Sequence, residues 1–356
     1  MIKRFIYAAF LAALWHWGIE LKTVLLGGFL VLLVTYTVVP LFYHYNGWLQ
    51  RHLVFLTFVN YPKGIDFDKP ENEGLPGTRN FYVETEDNIR VGVWHILPAS
   101  LIDTAEAAEN RTEFFNNSLC DDRPVLLYLH GNTASRAVPH RVELYKLLRK
   151  MDYHVVAFDY RGYADSSKVV PTETGIVHDA CVVYRYVKER VGTSPLVVWG
   201  HSLGTGVSCH AVSHMCLSGE PPTALILESP FNNIKDEIRY HPLTSIFRKM
   251  PKFEWLFLTP LSSNGIDFRS DEHIAHINTP ILILHAEDDL VVPYMLGHKL
   301  YEVAKKIRPK DADLIQFKGF ESKHGYAHKF IYMAPELPQI IRQFFNEAKI
   351  KIDSSN

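Results

Sequence analysis

Pro195-Leu-Val-Val-Trp-Gly-His-Ser-Leu-Gly-Thr-Gly-Val-Ser-Cys209 decides how this chain folds. Its first half is an unbroken apolar run, the pattern of a strand buried on both faces, and its second half has the composition of a helix. Between them stands Gly200-His-Ser202-Leu-Gly204. A serine at a tight strand-to-helix turn needs small residues two places before and after it, because the turn crowds those positions. The helix beginning there aims its unpaired backbone N–H groups and positive dipole end toward the serine hydroxyl. The segment therefore predicts a nucleophile elbow, with Ser202 as nucleophile and Gly200 and Gly204 as its clearances.

Further apolar runs occur at Val125–Leu129, Val155–Phe158, Leu196–Trp199, Ala224–Leu227, Ile281–Leu284 and Leu314–Phe317, separated by helical text at Val142–Arg149, Thr172–Val191 and Leu203–Cys216. Right-handed strand-helix-strand crossovers would cover both faces of one parallel sheet. Before them, Phe81–Thr85 and Ile89–Ile96 alternate around Glu86-Asp-Asn88, which predicts an antiparallel hairpin with one solvated face capping a sheet edge. The expectation is an α/β fold, a mostly parallel eight-stranded sheet with helices on both faces, closed by an amphipathic helix over 336–349.

The other parts of an acyl-transfer site fall in the expected chain order of serine, acid and base. The strand Val125–Leu129 runs into His130-Gly-Asn132, so the N–H of Asn132 and that of Leu203 are the predicted oxyanion donors. The strand Ile281–Leu284 runs into Glu287-Asp-Asp289, and Asp289, the last acid before the turn closes, is the predicted orienting carboxylate, with Glu228 as its rival. After the last strand, His324 and His328 are both candidates for the base, and spacing alone does not choose between them.

These residues resemble a known family, that of α/β-hydrolase domain-containing protein twelve, membrane lipases acting on lysophosphatidylserine and monoacylglycerol. The likeness rests on Leu129-His-Gly-Asn, His140-Arg-Val-Glu-Leu-Tyr-Lys, Phe158-Asp-Tyr-Arg-Gly, Trp199-Gly-His-Ser-Leu-Gly-Thr-Gly, Leu225-Ile-Leu-Glu-Ser-Pro-Phe, Leu284-His-Ala-Glu-Asp-Asp and Pro335-Glu-Leu-Pro. It implies the α/β-hydrolase fold, Ser202 and Asp289 as triad members, and His328 rather than His324 as the base. It also implies a single-pass anchor in the endoplasmic reticulum membrane with the catalytic body in the lumen. A thioesterase or serine peptidase would use the same machinery. A non-catalytic membrane scaffold is the reading from a different class.

With 37 Lys+Arg against 39 Asp+Glu in 356 residues, the chain has no basic excess to serve a nucleic acid. Four cysteines without CxxC spacing argue against a zinc ribbon and a disulfide scaffold, and leave a single 120–216 or 120–181 bridge open. No metal, cofactor or obligate protein partner is implied; the expected partners are a lipid substrate and a bilayer. Thr23 to Tyr43 is apolar and uncharged, long enough to cross a hydrocarbon core of about 30 Å. The shorter run Phe5 to Trp17 follows Lys3 and Arg4 like the start of a secretory signal, but no small-x-small cleavage site separates the two runs. A retained anchor is expected, with residues 1–60 as anchor and 61–350 as catalytic domain. Asn110-Arg-Thr and Asn116-Asn-Ser are glycosylation sequons. Between 231 and 273, Trp255 and Phe257 belong to an aromatic excursion predicted as a cap whose rings line an acyl channel or dip into the membrane interface. Arg136 and Arg141 are predicted to pair with an anionic headgroup.

Overall fold

Eight strands form one sheet in the order β1-β2-β4-β3-β5-β6-β7-β8. They are β1 (Thr78–Glu86), β2 (Ile89–Ile96), β3 (Val125–Leu129), β4 (His154–Phe158), β5 (Leu196–His201), β6 (Ala224–Glu228), β7 (Ile281–Ala286) and β8 (Ile315–Phe320). The computed structural model describes Ile6, Ala12 and residues 20–350. Apart from those first two positions, the run Phe5 to Trp17 lies outside the described residues. Pairing is parallel from β4 to β8, and antiparallel between β1 and β2 and between β2 and β4.

Every residue of β3, β4, β5, β6 and β7 is buried, because helices cover both faces. The hairpin departs from its expected form in one strand. β1 keeps an alternating exposed and buried pattern toward its end, but β2 is buried from Val91 to Ile96. β2 lies between β1 and β4, and both its faces are covered, Phe67 packing on Trp94 and Phe115 on His95, whereas β1 keeps a wet side. The excursion after β2 also does more than fill the surface. Its helices Ile102–Ala107 and Arg111–Ser118 close a small core of Leu97, Ala105 and Phe115.

The described residues divide into two compact units, those up to 50 with 246–264, and residues 51–245 with 265–350. The smaller unit takes only the middle of the predicted 231–273 cap; the flanks of that stretch belong to the larger unit. In the smaller unit a continuous helix runs over 25 residues, Leu21–Tyr45, with almost all of its side chains exposed. Leu25, Phe29, Val31 and Leu32 are each more than half exposed, which in water would leave a large apolar surface uncovered. The helix widens to π geometry over Val34–Val38, just before Pro40. Proline has no N–H to donate and its ring crowds the preceding turn, and a π-bulge accommodates both.

Candidate active site

The end of β5 and the start of the helix Leu203–Leu217 place Ser202 at φ 55°, ψ −121°, the left-handed half of the map that costs a non-glycine residue about 1–3 kcal/mol. Two bonds hold it there: the Ser202 N–H donates to the Glu228 carbonyl at 3.0 Å, and the Thr205 hydroxyl donates to the Ser202 carbonyl at 2.7 Å. The flanking glycines are required by space. A Cβ on Gly200 would collide with the Gly204 carbonyl and the Ser208 hydroxyl, and one on Gly204 would collide with the Leu129 carbonyl. The second obstacle is backbone of a central strand and cannot move aside.

His328 Nε2 lies 2.9 Å from Ser202 Oγ, and His328 Nδ1 lies 2.7 Å from Asp289 Oδ2. All three residues are buried. The remaining oxygen of Asp289 accepts the N–H groups of Val291 and Val292, each at 2.9 Å, and His285 Nε2 sits 3.3 Å from Oδ2. Burial by itself would raise the pKa of this carboxyl. The His328 hydrogen bond and the His285 ring beside it outweigh that and hold Asp289 well below the usual carboxylate range, so it is ionised at neutral pH.

The geometry separates the rival residues. His324 is exposed, stacked on Tyr326 with ring centroids 5.3 Å apart. Glu287 accepts the Ser322 N–H at 3.2 Å and Asp288 accepts the Ala327 N–H. Thus three consecutive acids each tie down a different point of the loop that carries His328. Glu228 instead accepts the Trp199 indole N–H at 2.9 Å, and burial pushes its pKa up to about 7.

The loop after β3 lies against Ser202: a Cβ on Gly131 would stand 3.2 Å from Ser202 Cβ. The Leu203 N–H, in the first turn of its helix, has no intrahelical acceptor. The Asn132 carbonyl is anchored by the Leu56 N–H at 3.0 Å and the Tyr163 hydroxyl at 3.1 Å. His130 supports the same loop, with Nδ1 2.6 Å from the Gly131 carbonyl and Nε2 3.3 Å from Asp159.

Arg136 and Arg141 require a correction. Neither faces a headgroup. Arg136 is completely buried and bonds to Asp159, Asp165 and Asn80, while Arg141 is 2% exposed and donates to the carbonyls of Ser135 and Thr133. A guanidinium with five donors satisfies those inward-facing carboxylates and carbonyls, and the loop after β3 is built around both side chains. Trp255 and Phe257 lie in the smaller unit. Trp255 stacks on His44 at 4.1 Å and Phe257 packs among Tyr43, Phe247 and Phe253, so packing within that unit accounts for both rings. Asn110 and Asn116 are exposed. Asn110 caps its helix by accepting the Glu113 N–H, and Asn116 accepts from Arg79.

Two supporting residues were not legible as such. His201 Nε2 is 2.8 Å from the His328 carbonyl, and burial keeps its pKa well below the ordinary histidine value, so a neutral ring donates that bond. His285 Nε2 donates to the Val292 carbonyl at 2.9 Å and so holds the turn whose N–H groups Asp289 accepts. Both stand inside motifs whose sequence explained only their neighbours.

The elbow, the acid-histidine-serine contacts and the sheet order define an α/β-hydrolase of the serine type. The alpha/beta hydrolase fold family model matches residues 124–239. Among solved structures, an α/β-hydrolase from Vibrio vulnificus aligns with a TM-score of 0.60 at 17% identity, covering 83% of this chain and 92% of that one. An esterase from Pyrococcus furiosus aligns at 0.56 and 20% identity over 81% and 98% of the two chains. Both likenesses speak for the fold alone.

Closer relatives carry the finer assignment. The chain is 47% identical to Lysophosphatidylserine lipase ABHD12 of Danio rerio, over 88% of its own length and 81% of that protein's. It is 45% identical to the Rattus norvegicus protein of the same name over 88% and 78%, and 35% identical to Homo sapiens Protein ABHD12B over 83% and 80%. This chain belongs to the ABHD12 family.

Proposed function

We propose that this chain is a membrane-bound serine hydrolase that cleaves the acyl ester of lysophospholipids, lysophosphatidylserine first, with monoacylglycerol as a further substrate. The observation that carries the reading is the unbroken run of contacts from Ser202 Oγ through both nitrogens of His328 to Asp289. The names of its closer relatives supply the substrate class.

In this reading His328 Nε2 takes the Ser202 proton as Oγ attacks the ester carbonyl carbon. The N–H groups of Leu203 and Asn132 hold the resulting oxyanion, each worth about 2.7–4 kcal/mol of barrier. The intermediate collapses, the C–O bond to the glycerol oxygen breaks, and His328 returns its proton to that leaving oxygen. Water then attacks the acyl-enzyme by the same steps and releases the fatty acid. Asp289 stays ionised throughout, which fixes the tautomer and stabilises the imidazolium.

Residues 1–60 act as the anchor and 61–350 as the catalytic body, in the endoplasmic reticulum membrane with the body in the lumen. Support for the anchor comes from the exposed apolar helix Leu21–Tyr45. The deciding experiment uses the full chain in micelles. A fluorophosphonate probe should label it, and lysophosphatidylserine should release fatty acid, both abolished in Ser202→Ala. An unlabelled, inactive wild type would leave a membrane scaffold; labelling with no lipid turnover would point to a thioesterase or peptidase.

A further inference from the structure

Three side chains remote in sequence converge at a place the triad does not use. Glu173 begins the helix Glu173–Lys188, His210 lies midway along Leu203–Leu217, and His273 ends the short helix Ser270–His273. Both flanking helices pack on Leu203–Leu217. The ligand-type atoms of the three residues all lie within 4.8 Å of one another. His210 is eight residues beyond Ser202 on the same helix, about 12 Å along its axis.

Glu173 is held as a carboxylate ligand is held. It is 5% exposed, and its Oε2 accepts the N–H groups of Asp267 at 2.7 Å and Phe268 at 2.9 Å. Outer donors of this kind fix the orientation of metal-bound carboxylates. The other oxygen, Oε1, faces His210 Nδ1 at 3.2 Å. His273 stacks on His210, centroids 3.9 Å apart and planes 17° apart, and His214, one turn farther along, stacks on His210 at 5.1 Å. A Glu173–His210 hydrogen bond explains one ring. It leaves His273 stacked beside it with no hydrogen bond to its ring from the described residues.

Two imidazole nitrogens and one carboxylate oxygen suit Zn2+ and similar borderline ions, whereas Ca2+ and Mg2+ seek all-oxygen shells. Around zinc at about 2.0–2.1 Å, tetrahedral ligand atoms stand about 3.4 Å apart. The Glu173–His210 pair already has that spacing, and the half-buried rings of His210 and His273 can turn to close the rest. Water or His214 would complete four ligands.

We propose that Glu173, His210 and His273 bind a zinc-class transition-metal ion, joining the helix that starts at Ser202 to the chain that re-enters the core at Asp267 and Phe268. The test titrates metal-stripped full-length protein in micelles with Zn2+ by calorimetry, and with Co2+ by visible absorption. One saturable site per chain and a Co2+ band of tetrahedral intensity are expected. The His210→Ala/His273→Ala double variant should weaken binding at least about ten-fold. Glu173→Gln should weaken it too while leaving an oxygen for the Asp267 and Phe268 amides. His328→Gln should bind as the wild type does. Retained fluorophosphonate labelling of Ser202 in the His210, His273 and Glu173 variants shows that they have folded. No saturable binding, binding that ignores those substitutions, or binding lost in His328→Gln would each overturn the proposal.

Discussion

The carboxylate of Asp288 accepts the backbone N–H of Ala327, at 3.1 Å to Oδ1 and 3.0 Å to Oδ2, one residue before His328. Ala327 itself sits at φ 46°, a conformation a β-carbon disfavours, so the bond holds a backbone that would otherwise relax. Neighbouring Asp289 grips the His328 ring. Adjacent acids thus position one histidine by two different atoms.

Substitutions at the two acids should separate these roles. Asp289→Asn removes the charge that fixes the tautomer and is expected to lower kcat by about 10,000-fold. Asp288→Ala only loosens the loop, and a sub-ångström drift of the base is expected to cost about 10- to 100-fold in kcat with little change in KM. Steady-state lysolipid hydrolysis checks both; equal losses would mean that Asp288 acts on the ring as well.

Glu228 makes a pH prediction. Its folded pKa of about 7 lies above the unfolded carboxyl value, so between those two values the folded state binds more protons than the unfolded state. Stability therefore falls as pH rises through that interval, from about 4.5 to 7. Glu228→Gln keeps an oxygen for the Trp199 indole and removes the titration. Thermal melts should show the variant more stable than wild type at pH 8, with the difference shrinking at pH 5. A constant difference would mean that the carboxyl titrates normally.

Arg136 is expected to matter for stability and not for headgroup choice. Breaking a buried ion pair from one side strands its partners, at a cost of about 3–5 kcal/mol. Arg136→Gln should unfold at lower denaturant concentration, while its ratio of turnover on anionic against zwitterionic lysolipid stays that of wild type. A collapsed ratio at intact stability would restore the headgroup contact.

Membrane orientation has a direct readout. If the body faces the lumen, glycosidase treatment of protein made in cells should produce a mobility shift that disappears in Asn110→Gln/Asn116→Gln. Both side chains are exposed; Asn110 bonds within its own helix and Asn116 accepts from Arg79. The absence of any shift would favour a cytosolic body.

The five fully buried strands, the tight turn at Ser202 and the acids that follow β7 are readable along the chain, because each is encoded by neighbours: an apolar run, two glycines at fixed offsets, a cluster of carboxylates at the end of a strand. Choosing between His324 and His328 was not possible from spacing, since both occupy one loop. The resemblance favoured His328, and the fold brings that ring to Ser202 while leaving His324 in solvent. Arg136 and Arg141 misled for a related reason. A positive charge near an oxyanion loop reads as a ligand contact until Asp159 and Asp165, more than twenty residues away, are seen to neutralise Arg136 inside the core.

What the sequence alone determined is therefore the strand-and-helix alternation and the chemistry available at each strand end, properties set by local periodicity and by the steric demands of single positions. Only the tertiary structure decided which polar groups meet. It buried β2 by laying Phe67 and Phe115 against its two faces, set His201 and His285 beside His328 and Asp289, and gathered Glu173, His210 and His273 from three separate helices. Burial and pairing depend on distances between residues far apart in the chain, and those distances do not exist until the sheet is closed and its helices are laid across it.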